Sequence, residues 1–372
     1  MRFRAEIRNI HTFTKFTSSL ATLGHIAWLR LDSTDCRFTV IPERGTQVWS
    51  VLTPDTIFDS YTIQSAAPNN AINLEVPLQP LQRALRSAGG GVGASLRLTK
   101  KDGVPLLSLT ITTTTIAASS SNPTNITEGS RDDFANGQGS APATSSLREG
   151  STDAGFFGGS RERETLVTQD IPIRVLAPAS VEDLHEPRCR EPDVHIVLPN
   201  LLQLKSISDR FTKLALTSGN RNTSGGGVGG RFGFQGGSST AGPKLELSAN
   251  MHGCLRLALE TESMKISSLW TGLENPELDP EQVPEGEEGL ANHPSTRMKA
   301  LGDSTGQGEE GWATVRVEGR DWGRVLSVGR LGGRVIACFC QGHAVILYVF
   351  LSGEEGGGGE SVLTYYISSY SA

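Results

Sequence analysis

No run in the sequence approaches the ~18 consecutive apolar residues that a membrane helix needs. The opening residues, MRFRAEIRNI, hold no apolar stretch ahead of a cleavage site. A membrane-spanning or secreted chain is therefore not expected. Cysteine is scarce as well: there are five in 372 residues, an odd number, and only Cys338 and Cys340 lie near each other. That argues against a disulfide scaffold and for a reducing compartment, cytosol or nucleus. Hydrophobic residues make up only 37% of the chain, while 43 glycines face 18 prolines without a collagen period. Part of the chain is thus expected to stay outside any core.

Three segments account for that deficit. Residues 118–165 are almost devoid of apolar side chains apart from Phe134, Phe156 and Phe157. Residues 218–243 are glycine and serine with two phenylalanines, and 277–311 are acidic and glycine-rich. None has the apolar area to offset its ordering entropy, so all three are predicted to be disordered insertions. The acidic one carries nine carboxylates against Arg297 and Lys299, a net of −7 in a chain of net −6, so the remainder sums to +1.

What remains reads as one unit used twice. Residues 2–8 alternate as a strand and 194–198 (VHIVL) form another, each leading into an amphipathic helix. Phe13, Phe16, Leu20 and Leu23 share a face of the first helix. Leu201, Leu204, Ile207, Phe211 and Leu214 share a face of the second. Hairpin-like pairs follow at 26–31 with 36–41 and at 244–249 with 254–259. LEVPLQPLQRALRSA (74–88) superposes on VRVEGRDWGRVLSVG (315–329) at a constant spacing of 241 residues, so that Leu74 meets Val315, Leu81 meets Trp322 and Arg83 meets Arg324. Each copy closes on a further strand, 166–175 and 362–370. A matching order of all elements implies duplication: an α+β protein of two similar domains, each with antiparallel sheet on one side and helices on the other.

Catalytic signatures are weak. The tracts GGGVGASLRLTK and GGGVGGRFGFQGG lack the lysine spacing of a phosphate-binding loop. Cys338 and Cys340 form C-x-C in an apolar strand and lack the second pair that a zinc site needs, so buried thiols are expected. His185, His195 and His252 are scattered, and Asp35, Asp55, Asp183 and Asp193 sit in or beside turns, where aspartate bends or caps the backbone. No catalytic residue, metal or cofactor is expected.

Charge on the helices is more informative. The four predicted helices, 11–24, 78–88, 200–214 and 319–331, carry Lys15, Arg83, Arg86, Lys205, Arg210, Lys213, Arg320, Arg324 and Arg330 against only Asp209 and Asp321. Ordinary solvated helices mix glutamate with lysine for i,i+4 pairing. A surface of +7 with no glutamate fits contact with a polyanion, independent of sequence and sensitive to salt. A second reading, a single-strand nucleic-acid binder using the tract around RFGF, rests on Arg221 and Arg231 alone, too few for the electrostatic contribution.

MRFRAEIRNI, LEVPLQPLQRALRSA and above all TQDIPIRVLAP…LHEP…EPDVHIVLPNLLQLKSI (168–207) resemble the Hus-type subunits of the nine-one-one checkpoint clamp, a heterotrimeric relative of PCNA. The resemblance spans the folded portion and has no counterpart for the three insertions. It implies the DNA-clamp fold: an N-terminal clamp domain over 1–176, a connector over 177–192 that lies above a groove, and a C-terminal clamp domain over 193–372. It further implies a ring with two other clamp subunits of the Rad type, put onto double-stranded DNA in the nucleus by a clamp loader, acting in DNA-damage checkpoint signalling and repair without chemistry of its own. The nine helix bases would then line the hole. Asp170, Ile171, Ile173 and Val175 at one edge, with Met264, Ile266 and Leu269 at the other, would make the subunit contacts.

Overall fold

The computed structural model describes residues 1–43, 45–116, 162–182, 184–219, 242–280, 286–351 and 361–370. The first half runs β1 (Arg2–Ile7), α1 (Ile10–Ala21), β2 (Ile26–Leu31), β3 (Cys36–Val40), β4 (Gln47–Leu52), α2 (Pro54–Ile57), β5 (Phe58–Gln64), β6 (Ile72–Pro77), α3 (Leu78–Ser87), β7 (Gly93–Lys101), β8 (Val104–Ile116), β9 (Glu162–Pro172) and β10 (Arg174–Leu176). The second runs β11 (Val194–Val197), α4 (Leu201–Gly219), β12 (Lys244–Ala249), β13 (Leu255–Thr261), β14 (Met264–Trp270), α5 (Gly286–Asn292), α6 (Pro294–Lys299), β15 (Ala313–Glu318), α7 (Gly319–Val325), β16 (Val335–Cys340), β17 (Ala344–Leu351) and β18 (Ser361–Ser368).

Among the described residues three antiparallel sheets form, with strand orders β5-β1-β7-β8-β9, β10-β6-β2-β3-β4-β18-β17-β16-β11 and β14-β13-β12-β15. The middle sheet joins the two halves where β4 pairs β18, Val51 opposite Val362 and Trp49 opposite Thr364. The internal repeat is exact at one point. β6 and α3 start at Ile72 and Leu78, and β15 and α7 start 241 residues later, at Ala313 and Gly319.

Local chemistry explains the helix starts. The Asn9 side chain accepts a hydrogen bond from the Thr12 N–H at 2.9 Å to cap α1, and Asn200 does the same for α4 from the Leu202 N–H at 3.0 Å. The helices bury Phe13, Phe16 and Leu20 from α1, Leu78, Leu81 and Leu85 from α3, Leu201 and Leu204 from α4, and Trp322 and Val325 from α7; further along the α4 stripe Ile207 and Phe211 are half-buried and Leu214, expected on the buried face, is exposed. Packing one side chain of this size into the core contributes about 1.5–3 kcal/mol. α7 lies close against α4 because its first residue is glycine. A Cβ on Gly319 would stand 2.7 Å from Thr212 Oγ1.

Two expectations change. Most of the first two insertions lies outside the described residues, but their borders tighten: β9 already begins at Glu162, and α4 reaches Gly219. Within the acidic segment 277–311, read as a disordered insertion, residues 277–280 and 286–311 are described and structured. It contains α5 and α6, and polar groups order it together with Met298, which packs against the core. His293 is buried and caps α6 by accepting the Ser295 N–H at 3.2 Å. One Asp303 carboxylate accepts hydrogen bonds from the N–H groups of Thr305, Gly306 and Gly308, and its backbone carbonyl accepts one from Asn250. Arg256 stacks 4.5 Å from the Trp312 ring centre. Counting apolar residues cannot see such side-chain-to-backbone bonds.

The stretch just ahead of this segment seals the outer edge of β11. The Val197 N–H donates to the Glu274 carbonyl at 2.8 Å, and Asn275 Nδ2 donates to the His195 carbonyl at 2.7 Å. His195, 4% exposed, has no partner at Nδ1 and hydrogen-bonds the Pro276 backbone with its ring. Burial holds its pKa below the ordinary value, and nearby His293 and Lys299 push the same way. The folded state thus favours neutral His195, while the unfolded chain binds the proton more readily. The resulting stability is complete above about pH 6.5 and is lost as pH falls toward the depressed folded pKa. Melting temperature is therefore expected to drop between about pH 7 and pH 5.5, and His195→Gln is expected to flatten that dependence; an unchanged slope in the variant refutes the assignment.

Candidate nucleic-acid interface

The four helices form one continuous layer. α1 packs on α3, α4 packs on α7, and the 3-10 turn Leu326–Leu331 that follows α7 touches both α1 and α4. Polar pins hold the helices in place within each pair. Gln82 of α3 donates to Ser18 of α1. Trp322, buried in α7, donates its indole N–H to Ser208 Oγ of α4 at 3.2 Å, and that hydroxyl donates on to the Leu204 carbonyl at 2.8 Å. Across the junction of the halves, Thr22 and Ser327 hydroxyls face each other at 3.5 Å.

All nine bases predicted to face a polyanion lie on this layer. Arg83, Arg86, Arg210, Lys213, Arg320, Arg324 and Arg330 are exposed, and Lys15 and Lys205 are half-buried. Two are neutralised within their own helix: Lys205 pairs with Asp209 at 3.1 Å and Arg324 with Asp321 at 3.1 Å. Burial raises the Asp321 pKa, Glu318 adds to that, and Arg324 opposes it. Pairs at this helix spacing contribute about 0.3–0.5 kcal/mol when exposed; the Asp321 carboxylate, 13% exposed, is costlier to leave unpaired than Asp209. Among the described residues the other seven make no ion pair, and the layer keeps a net charge of +7.

The candidate subunit edges are only partly as expected. β9 and β14 are indeed the outermost strands of their sheets. Yet Ile171 and Ile173 are 3% and 8% exposed, so their side chains belong to this chain's own core. Val175 falls in β10, opposite Leu74 in the middle sheet, because the chain leaves β9 at Ile173 and changes sheet. Asp170 accepts a hydrogen bond from Ser108 at 2.7 Å. Met264 and Ile266 are half-buried against the core, and Leu269 is exposed.

Ladder geometry shows which backbone groups face outward. The Ile173 N–H donates to the Pro105 carbonyl of the neighbouring chain segment at 3.1 Å, and hydrogen-bonded pairs alternate along an antiparallel ladder. Ile171, Gln169 and Val167 therefore bond inward to β8. The backbone N–H groups of Asp170, Thr168 and Leu166 point away from the sheet. The sequence reading missed Leu166, Val167 and Thr168; the signal available was Leu166–Val167, adjacent apolar residues that a one-sided strand cannot both bury, and both are exposed.

The remaining candidates behave structurally. Cys338 and Cys340 are buried in β16, and burial raises their thiols to about 12 and about 11. His195 is buried as described, while His185 lines a cavity of about 230 Å³ beneath the connector together with Trp28, Trp49, Leu176, Val181 and Leu184. The glycine tract around RFGF lies outside the described residues.

A model of the Hus1-like protein family matches residues 1–371. The chain belongs to the Hus1-like family. The chain is 34% identical to the checkpoint protein hus1 of Schizosaccharomyces pombe over 371 residues, covering 100% of this chain and 99% of that protein. It is 24% identical to human checkpoint protein HUS1 over 77% of this chain and 79% of the relative. Among solved structures, PCNA of Thermococcus kodakaraensis superposes with a TM-score of 0.56 at 12% identity, covering 99% of this chain and 100% of that one. PCNA of Entamoeba histolytica gives 0.54 at 11% identity over 99% and 98%. The fold is thus the DNA-clamp fold, and this Hus1-like chain is a non-catalytic clamp subunit of checkpoint signalling.

The indole pin carries a test of the helix layer. Trp322→Phe removes one buried hydrogen bond and some volume, with Ser208 still satisfied by Leu204. A loss of about 1–3 kcal/mol is expected in urea unfolding, and no loss at all would show that the pin does not hold α7 to α4.

Proposed function

We propose that this Hus1-like chain is one of three different subunits of a nuclear ring that encircles double-stranded DNA, with its helix layer turned to the hole. The observation that carries this reading is the single layer of helices from both halves, with nine bases against two acids and no glutamate. Phosphates met there would be bound without base readout, in a salt-dependent manner, as a sliding contact requires. The outer edges β9 and β14 would pair with the two Rad-type neighbours, since a closed ring consumes strand edges that otherwise invite aggregation. Opening such a ring around DNA calls for a clamp loader. The single-strand reading through the glycine tract has no observation in its favour.

Lys15, Arg83, Lys205 and Arg324 changed together to glutamate should weaken retention on DNA in a salt-titrated binding assay while leaving the assembly with its neighbours intact on gel filtration. Loss of assembly instead would make these residues structural.

Thr168→Pro tests the edge, because its N–H points outward and its removal leaves the β8–β9 ladder in place. The chain should keep its melting temperature and lose assembly with one neighbour. Ile171→Pro, by contrast, should lower stability by breaking an inward bond. An intact ring with Thr168→Pro would move the interface away from β9.

A further inference from the structure

We propose that the solvent face of the five-stranded sheet, where Arg2, Arg4, Arg97 and Lys101 converge, is a docking surface for an extended acidic peptide of a partner protein. In the antiparallel pair of β1 and β7, Arg4 stands directly opposite Arg97. Arg2 is next to Arg4 on the same face of β1, and on the same face of β7 Lys101 lies beyond Thr99 from Arg97. All four are exposed.

Like charges directly opposite in a ladder are destabilising. Little within the chain relieves them: Glu6 lies 3.8 Å from Arg4, and among the described residues no ion pair reaches Arg2, Arg97 or Lys101. The fold does not demand arginine here either. The core side of these strands is filled by Phe3, Ala5, Ile7, Ala94 and Leu96, which leaves the outward positions free to be any polar residue. Nor does the internal repeat account for the patch, because β11, the counterpart of β1, has its edge covered by residues 274–275.

The geometry selects the ligand. Alternate side chains of an extended peptide repeat every ~6.6 Å, the spacing of Arg2 and Arg4 along β1, and Arg97 adds a third guanidinium about 5 Å to the side. Guanidinium groups bind carboxylates through paired, charge-assisted hydrogen bonds. The flanking positions on the same face, Ser95, Thr99 and Thr62, offer uncharged hydroxyls. Duplex DNA would need a longer track of charge than four bases beside Glu6, with exposed Asp170 two strands away on the same face, and the helix layer already supplies that elsewhere in the molecule. The surface is independent of the helix-layer reading and stands or falls separately.

The probe is a fluorescent peptide of alternating glutamate and serine, titrated by anisotropy against the full chain at about 50 mM and about 200 mM salt. Arg4→Ser with Arg97→Ser is expected to weaken binding about tenfold or more, with the melting temperature unchanged or raised because repulsion is relieved. Glu6→Gln is expected to tighten it, and Arg83→Ser with Arg86→Ser on α3 to leave it unchanged. Absence of binding, or equal loss with the α3 pair, overturns the proposal. So does a fall in duplex binding with no effect on the peptide, which would make the face a nucleic-acid surface.

Discussion

The pairing of β4 with β18 is the constraint on which the rest depends. Two copies of a strand–helix–strand unit, each able to bury only one side of its helices, become one body because the last strand of the second copy completes the sheet of the first. Val51 opposite Val362 and Ser50 opposite Leu363 fix that register, and a slip of one residue would turn Leu363 and Tyr365 out of the core. Once the register is set, the 3-10 turn after α7 falls between α1 and α4, and four separate helices become a single layer. The charge on those helices has meaning only because of this continuity. Nine bases scattered over unrelated sides would be ordinary solvated residues; on one layer they make an extended field.

The parts of this arrangement that obey a period were legible in the sequence. Alternation marked β1 and β11, the 3.6-residue stripe marked α1 and α4, and the spacing of 241 residues located the α3 and α7 starts to the residue. Cys338 and Cys340 read correctly as buried thiols because the strand around them is apolar throughout. What escaped depends on contacts with no local pattern. The acidic segment is held by Asp303 and His293, single residues whose polar bonds reach backbone groups nearby and, at Asn250, far away in sequence. The inward turn of Ile171 follows from ladder parity, which the pairing with β8 sets and the sequence does not state. Arg4 and Arg97 become neighbours only when β1 and β7 pair, so no window along the chain contains the patch they form.

The helix layer is less uniformly charged than its composition implies. Asp209 and Asp321 are each within one turn of a base they neutralise, so the free charge lies with Lys15, the α3 arginines, Arg210, Lys213, Arg320 and Arg330. Partly buried helix pairs of this kind hold long side chains near a preferred orientation. Asp209 sits where α4 and α7 touch: a Cβ on Gly323 would stand 3.2 Å from its Oδ1. Asp209 thus lies at a close approach of α4 and α7, as Thr212 does one turn on, where a Cβ on Gly319 would stand 2.7 Å away.

The two copies have diverged most where β5 would recur. In the first half β5 extends the sheet beyond β1; in the second, residues 274–275 and the helices α5 and α6 occupy the place beside β11, among the described residues. The outer edges β9 and β14 also differ in chemistry. β9 offers exposed Leu166, Val167 and Thr168, and β14 offers Lys265, Ser267 and Leu269. Head-to-tail association joins one kind of edge to another, and unlike edges let each junction reject the wrong neighbour by charge and shape. Two unlike edges are what any head-to-tail closure needs, whether its members are identical or different, so the choice of neighbour rests on the particular side chains that each edge presents.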